Sequence, residues 1–265
     1  YQIMAGEANF IMAGGSESMS NASHTVEGVR WGKKFGNLEL RDSMWDSLTN
    51  LGVGPAMGIT AENLVEKYDI TRQQQDELAL LSQQRACQAL KDGVFKDEIV
   101  PIEVRSRKGV TVVDTDEYPK DDTTMEKLSK LKASFKENGT VTAGNASGMN
   151  DASSGVILAA EDKARELGLP ILGRILATAT VGVDPDIMGI GPVGATRKAM
   201  EKAGLTLDQL DRIELNEAFA AQYLACEKEL GLNREITNVH GSGISLGHPV
   251  GATGTRLITT LLYEL

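Results

Sequence analysis

Asn238-Val-His-Gly-Ser-Gly-Ile-Ser-Leu-Gly-His-Pro-Val-Gly-Ala-Thr-Gly254 holds five glycines and two of the chain's three histidines. A short apolar run at residues 236–239 leads into it, and Leu257, Ile258, Leu261, Leu262 and Leu265 follow at helical spacing. The pattern reads as a strand, a glycine-rich corner and a helix. Gly247 and Gly251 permit close backbone approach, and Pro249 stiffens the loop that carries His248. A ring held just ahead of a helix N-terminus meets the positive end of the dipole, which disfavours imidazolium and leaves the imidazole neutral, able to act as a base. A lone histidine more often packs than catalyses, but a Gly-His-Pro-x-Gly frame in a chain with so few histidines points to chemistry.

The same punctuation recurs outward from this corner. Short apolar runs at residues 9–13, 156–160, 171–179 and 212–215 also end in Gly, Asn or Ser-rich turns, and with helical patterns between them they predict a layered α/β body. Two of these turns carry candidate site residues. In Glu214-Leu-Asn-Glu-Ala-Phe219 a strand is expected to pass directly into a helix, with Asn216 either capping that helix or holding a water or an oxyanion. In Thr142-Ala-Gly-Asn-Ala-Ser-Gly-Met-Asn-Asp151 small residues would let a flat ligand lie against backbone, with the Ser147 hydroxyl beside it.

Between about residues 21 and 138 the texture changes to mixed charge, which reads as an insertion. It contains one clear helix, from a Thr71 cap through Leu90, with Leu78, Ala79, Leu81, Ala86, Ala89 and Leu90 on one face and Cys87 on the other. On a later helix Phe219, Tyr223, Cys226 and Leu230 share a stripe, so Cys226 is expected in the core as an unreactive thiol.

The 265 residues, 41% hydrophobic, suffice for one large or two medium domains. A formal charge of −10 argues against nucleic acid or an anionic membrane as partner, no apolar run reaches membrane-spanning length, and two unpaired cysteines fit a cytoplasmic location better than a disulfide framework. Gly189-Ile-Gly-Pro-Val-Gly194 mimics a dinucleotide fingerprint, but Pro192 lacks the amide hydrogen and no apolar strand enters the motif. Hydrolase elbow, P-loop and zinc-protease motifs are missing from the sequence, and no metal site is expected. Arg105, Arg107, Lys108, Lys120, Lys127, Lys130, Lys132 and Lys136 run against the acidic balance and offer the best field for a phosphate-bearing ligand.

Gly14-Gly-Ser-Glu-Ser-Met-Ser-Asn21, Met57-Gly-Ile-Thr-Ala-Glu-Asn63, Lys96-Asp-Glu-Ile-Val-Pro101, the 142–151 turn, Asn216-Glu-Ala-Phe219 and Gly247-His-Pro-x-Gly251 together resemble the thiolase family, in the family's order and across essentially the whole chain. The likeness is greatest to acetyl-CoA acetyltransferases. It implies a layered αβαβα fold built from two similar halves, incomplete at both ends. Residues 1–20 and 140–167 would belong to the N-terminal half, residues 21–139 to an inserted loop domain that binds coenzyme A, and residues 168–265 to the C-terminal half.

The resemblance also implies a chemistry: condensation of two acetyl-CoA to acetoacetyl-CoA, or the reverse thiolysis of a 3-ketoacyl-CoA, with the coenzyme A thioester as substrate and no permanently bound cofactor. By matching position, His248 would activate the nucleophile and bind a thioester oxyanion, and Asn216 would orient a water in the same oxyanion hole. Ser147, Ala146, Met149 and Lys120 would lie along the coenzyme. The family's two catalytic cysteines fall outside the matched segment, and neither Cys87 nor Cys226 takes their place; His240 stands where an asparagine is usual and is assigned a structural role. The alternative is a non-catalytic coenzyme A-binding fragment or a thiolase-like structural subunit. Association as a homodimer or homotetramer is expected, as is poor folding of the segment alone, through exposed sheet edges.

Overall fold

The computed structural model describes residues 1–50 and 52–265. In chain order the elements are β1 (Phe10–Ser18), β2 (His24–Val26), β3 (Leu40–Asp42), α1 (Ser43–Thr49), α2 (Met57–Tyr68), α3 (Arg72–Asp92), β4 (Ile102–Ser106) and β5 (Gly109–Val113). There follow α4 (Met125–Ser129), β6 (Asp151–Ala159), α5 (Glu161–Glu166), α6 (Gly191–Ala203), α7 (Ala220–Leu230), α8 (Gly243–Leu246) and α9 (Val250–Glu264). Among the described residues no helix is long and apolar enough to cross a membrane.

β1 and β6 pair antiparallel over nine residues, from Phe10 opposite Ala159 to Ser18 opposite Asp151. Side chains alternate across a strand, so this ribbon has two faces. The more covered face, including Ile11, Ala13, Ser154 and Val156, belongs to the ribbon that packs on α9. The Ser154 hydroxyl donates to the Ala252 carbonyl at 2.6 Å. The other face is open, with Met12 83% and Ile157 76% exposed. The contact between β1 and α9 is made by backbone. A Cβ at Gly15 would land on the Gly251 carbonyl oxygen, and one at Gly251 would stand 2.8 Å from the Ser16 carbonyl oxygen. Glu17 then accepts from the Gly251 amide at 3.0 Å, a carboxylate set at the positive end of the helix.

Residues 21–138, expected as an insertion, carry α1–α4 and two small hairpins, β2–β3 and β4–β5. Thr71 and Gln74 close a reciprocal capping box at the start of α3, and Gly93 ends the helix at φ 71°. Leu78, Ala79, Ala86 and Ala89 are buried as the periodicity requires, while Leu81 and Leu90 are only partly covered. The buried face also carries Gln75, Asp76, Ser82 and Gln83, which hydrophobic spacing alone does not disclose. These polar groups dock the loops described below. The main core gathers Leu64 of α2, Leu78 and Ala79 of α3, Leu128 of α4, Tyr223 and Leu224 of α7 and Ile244 of α8, so the insertion and the C-terminal helices share one apolar interior.

Two strand expectations change. Residues 171–179 form no regular element, and Leu172 and Leu176 are 66% and 63% exposed; none of the described strands pairs with them. Residues 212–215 and 236–239 reduce to one parallel bridge, Ile213 with Thr237. The pairing stops because Asn238 turns to φ 49°, and its side chain takes over, accepting from the Leu215 amide at 2.8 Å and donating to the Leu215 carbonyl at 2.7 Å. The 189–194 motif is entered from a 3₁₀ turn, Pro185–Ile190, rather than a strand.

Gly15→Ala is expected to destabilise the fold by about 1–3 kcal/mol or more, since the obstruction is backbone and cannot rotate away. A lowered urea midpoint with unchanged slope would register this; an unchanged midpoint would contradict the contact.

Candidate active site

His248 sits between α8 and α9, with Pro249 at the helix cap. Its Nδ1 lies 2.7 Å from the Thr253 hydroxyl oxygen. Its pKa is lowered first by burial, then by the nearby Arg256 guanidinium, and Glu17 opposes the shift. The ring is therefore held neutral, as the sequence suggests, but desolvation is the leading cause. The loop keeps its shape through Gly247, at φ 95°, against which the Asn150 side-chain amide packs so closely that a Cβ would strike it.

Asn150 ends the small-residue turn, which is stitched to the neighbouring corner. The Asn145 carbonyl accepts from the Ala220 amide at 2.8 Å, the Ser147 amide donates to the Ala218 carbonyl at 2.9 Å, and Ala146 bridges Phe219. Asn145, fully buried, bonds through its side chain to the Thr142 amide and to Asp76 of α3. The turn thus places Ser147, half-buried, beside the segment that carries Asn216. Ala146 is buried against Ala61, Val141 and Ala221, whereas Met149 is 68% exposed.

Asn216 does not cap a helix. α7 begins only at Ala220, with Phe219 in the capping position, and the intervening residues are irregular. Asn216 Oδ1 packs over Gly243, 2.7 Å from where a Cβ would lie. It is buried and without a hydrogen bond among the described residues, as is Asn150 Oδ1. A buried acceptor left unpaired costs about 1–3 kcal/mol, so these amides are suited to take a donor from a bound molecule. The adjacent Glu217 is fully buried and accepts from Ser82 of α3 at 2.6 Å, from Asn238 at 3.0 Å and from the Ile244 amide of α8 at 3.4 Å. Burial raises its pKa while these donors oppose the rise.

Lys120 reaches the site through an aromatic step. The Tyr118 ring packs on Gly148, and the Lys120 ammonium stands 5.1 Å from that ring's centre. Much of the basic run is neutralised: Lys127 pairs with Asp122, Lys130 with Glu126, Lys136 with Glu66 and Arg105 with Glu103. Lys120 makes no ion pair among the described residues. Next to the histidine loop a cleft of about 380 Å³ is lined by Glu17, Met19, Met44, Leu48, Met57 and Val250. Its apolar methionines were not assigned to the site from sequence, although Met57 opens one of the quoted motifs.

The cysteines lie on α3 and α7, Cys87 lining a second cleft together with Lys120 and Asp121. Cys226 is buried, donates to the Gly189 carbonyl at 3.3 Å, and burial pushes its thiol up to about 11. Cys87 is half-buried on α3 beside Leu80, its pKa raised by burial and by Asp121. Neither is hydrogen-bonded to His248. His240 bonds Glu264 and meets the Phe95 ring edge-on, in keeping with a structural role.

A histidine in a glycine-framed loop, two buried amide oxygens without partners among the described residues and an adjoining cleft lined by methionines, serines and Glu17 make up the candidate site, on an α/β scaffold. Residues 1–162 match the family profile described as Thiolase, N-terminal domain, and residues 169–265 match Thiolase, C-terminal domain. An acetyl-CoA acetyltransferase of Pseudomonas aeruginosa is 52% identical over 99% of this chain and 67% of its own. A beta-ketothiolase, BktB, of Cupriavidus necator is 49% identical over the same shares. The crystal structure of human mitochondrial 3-ketoacyl-CoA thiolase superposes with a TM-score of 0.96 at 48% identity, covering all of this chain and 67% of that one. The chain belongs to the thiolase family of enzymes, and it spans about two thirds of the length of these relatives.

The site also carries a pH signature. Burial raises Glu214 from its ordinary 4.5 to about 8, with Arg256 at 3.4 Å opposing the shift. The folded state then keeps a proton that the unfolded chain releases, so this contribution to stability is full below the unfolded value and is lost as pH rises through the folded one. Glu214→Gln is expected to flatten the decline in stability between about pH 5 and about pH 8, read from unfolding midpoints. An equal decline in the variant would contradict the assignment.

Proposed function

We propose that these residues supply the base, the oxyanion donors and the coenzyme contacts of an acetyl-CoA acetyltransferase. The reaction is condensation of two acetyl-CoA to acetoacetyl-CoA, or the reverse thiolysis of a 3-ketoacyl-CoA. One observation supports this reading: Asn150 packs on Gly247 beside His248, and the Ser147 amide donates to the Ala218 carbonyl two residues from Asn216, so three turns far apart in sequence adjoin.

Thioester chemistry explains why that set is useful. A cysteine thiol gives its proton to His248, and its sulfur attacks the thioester carbon as the carbon–sulfur bond to coenzyme A breaks. The histidine then returns the proton to the departing coenzyme A thiolate. In both the addition and the later enolate, negative charge gathers on the thioester oxygen, where donors already in place stabilise it without reorganisation. His248 donates once protonated, and a water accepted by Asn216 Oδ1 can turn its other hydrogen to the same oxygen. Ser147 and Lys120 suit the pantetheine arm and the phosphates, Lys120 by charge. Ala146 supports that turn from the interior, and Met149 reaches solvent beside it. Neither Cys226, sealed in the core, nor Cys87, on α3 with its thiol raised by burial, is assigned as that nucleophile.

Cytoplasmic location and assembly as a homodimer or homotetramer belong to the same proposal. In the complete gene product, His248→Ala should lower acetoacetyl-CoA thiolysis by a factor on the order of 10² or more. Undiminished thiolysis would remove His248 from the mechanism.

A second reading, coenzyme A binding without turnover, is favoured for the segment alone by the position of its two cysteines. Calorimetric titration of the 265 residues with coenzyme A is expected to show binding, weakened roughly two- to five-fold by Lys120→Ala. Absence of heat at millimolar coenzyme A would sink the binding assignment.

A further inference from the structure

We propose that Thr253 is a positioning residue that sets the tautomer of His248, keeping the proton on Nδ1 and leaving Nε2 bare to receive one. This deepens the reading of His248 as a base and rests on it. Thr253 lies in the first turn of α9, 4% exposed, with its hydroxyl oxygen 2.7 Å from His248 Nδ1 and 2.9 Å from the Pro249 carbonyl oxygen. The second contact is the i to i−4 bond that threonine makes inside helices. A hydroxyl has one proton to give, and a carbonyl has none. When the Thr253 proton goes to Pro249, only lone pairs face the ring, so Nδ1 must be the donor.

The opposite arrangement would turn the hydroxyl toward a bare Nδ1 and leave the ring proton on Nε2, where it would block proton uptake from a thiol. The Pro249 carbonyl also takes the Ala252 and Thr253 amides at 2.9 Å, so three donors converge on one oxygen that the start of the helix holds in place. The charged groups that act on the ring are Arg256, one turn further along α9, and Glu17 of β1; neither is hydrogen-bonded to Nδ1. During proton transfer the balance is simple. Nε2 gains the thiol proton, the imidazolium keeps its Nδ1 proton on Thr253, and the threonine proton does not move.

The test is the ¹⁵N spectrum of the histidine rings in the complete gene product, without substrate, near neutral pH. Ring-nitrogen shifts separate a protonated from a bare nitrogen, and a His248→Gln spectrum assigns the His248 signals. Native protein should show Nδ1 protonated and Nε2 bare. Thr253→Val, which keeps shape but loses the acceptor, should move the proton toward Nε2; Thr253→Ser should restore the native pattern. In the complete gene product Thr253→Val should lower kcat roughly tenfold or more with KM nearly unchanged, and Thr253→Ser should recover it.

A bare Nδ1 in the native protein overturns the proposal, as do unchanged shifts in Thr253→Val. His240, held by Glu264, is the internal reference for folding, and if Thr253→Val does not fold, the native spectrum still decides. Failure of the thiolase reading would appear as undiminished activity in His248→Ala and would leave this spectrum as it is, so the two are separable.

Discussion

Backbone touching backbone at Gly15 and Gly251 is the constraint on which the arrangement of the site depends. Helix α9 can approach β1 this closely only because neither residue has a side chain. The approach sets the height of the helix over the ribbon and brings Glu17 within reach of the helix's first amides. It thereby fixes where the preceding loop, with Pro249 and His248, must stand. Large side chains at the contact would give apolar burial but would also separate the two elements, and the imidazole would move with the helix.

Around that anchor the site is assembled from loops that bond to one another through main-chain groups and short amides. Asn145 fixes one turn, Asn238 closes the strand pair, and Glu217 joins three segments. Such connections are directional and fully committed when buried, which suits groups that must hold a reacting atom to a fraction of an ångström. The apolar core beneath supplies stability; the polar stitching above it supplies position.

How much of this was legible beforehand follows from the range of each interaction. The α3 helix, its Thr71 cap, the buried Cys226 stripe and the His248 loop are local features, governed by spacing and by glycine and proline. The polar face of α3 was missed because Asp76 and Ser82 are buried by partners 69 and 135 residues away, Asn145 and Glu217, which no periodicity reveals. Residues 171–179 have the apolar composition of a strand, but a strand also requires a neighbour, and composition is silent about that. Asn216 resembled a helix cap because the residue type suits one; the start of α7 four residues later is set by packing of Ala220 and Tyr223 in the core. Family motifs nominated His248, Asn216 and Ser147, while the packing of Asn150 on Gly247 is a long-range contact that no motif contains.

Glu217 has a consequence for motion. The insertion, through Ser82 of α3, and the corner that leads to the histidine, through Asn238 and Ile244, end on the same buried carboxylate. Parting them would take the Ser82 hydroxyl from this carboxylate while the Asn238 and Ile244 donors stayed on it, a cost added to that of exposing the apolar core the two parts share. The two parts are therefore coupled by directional hydrogen bonds as well as by apolar contact.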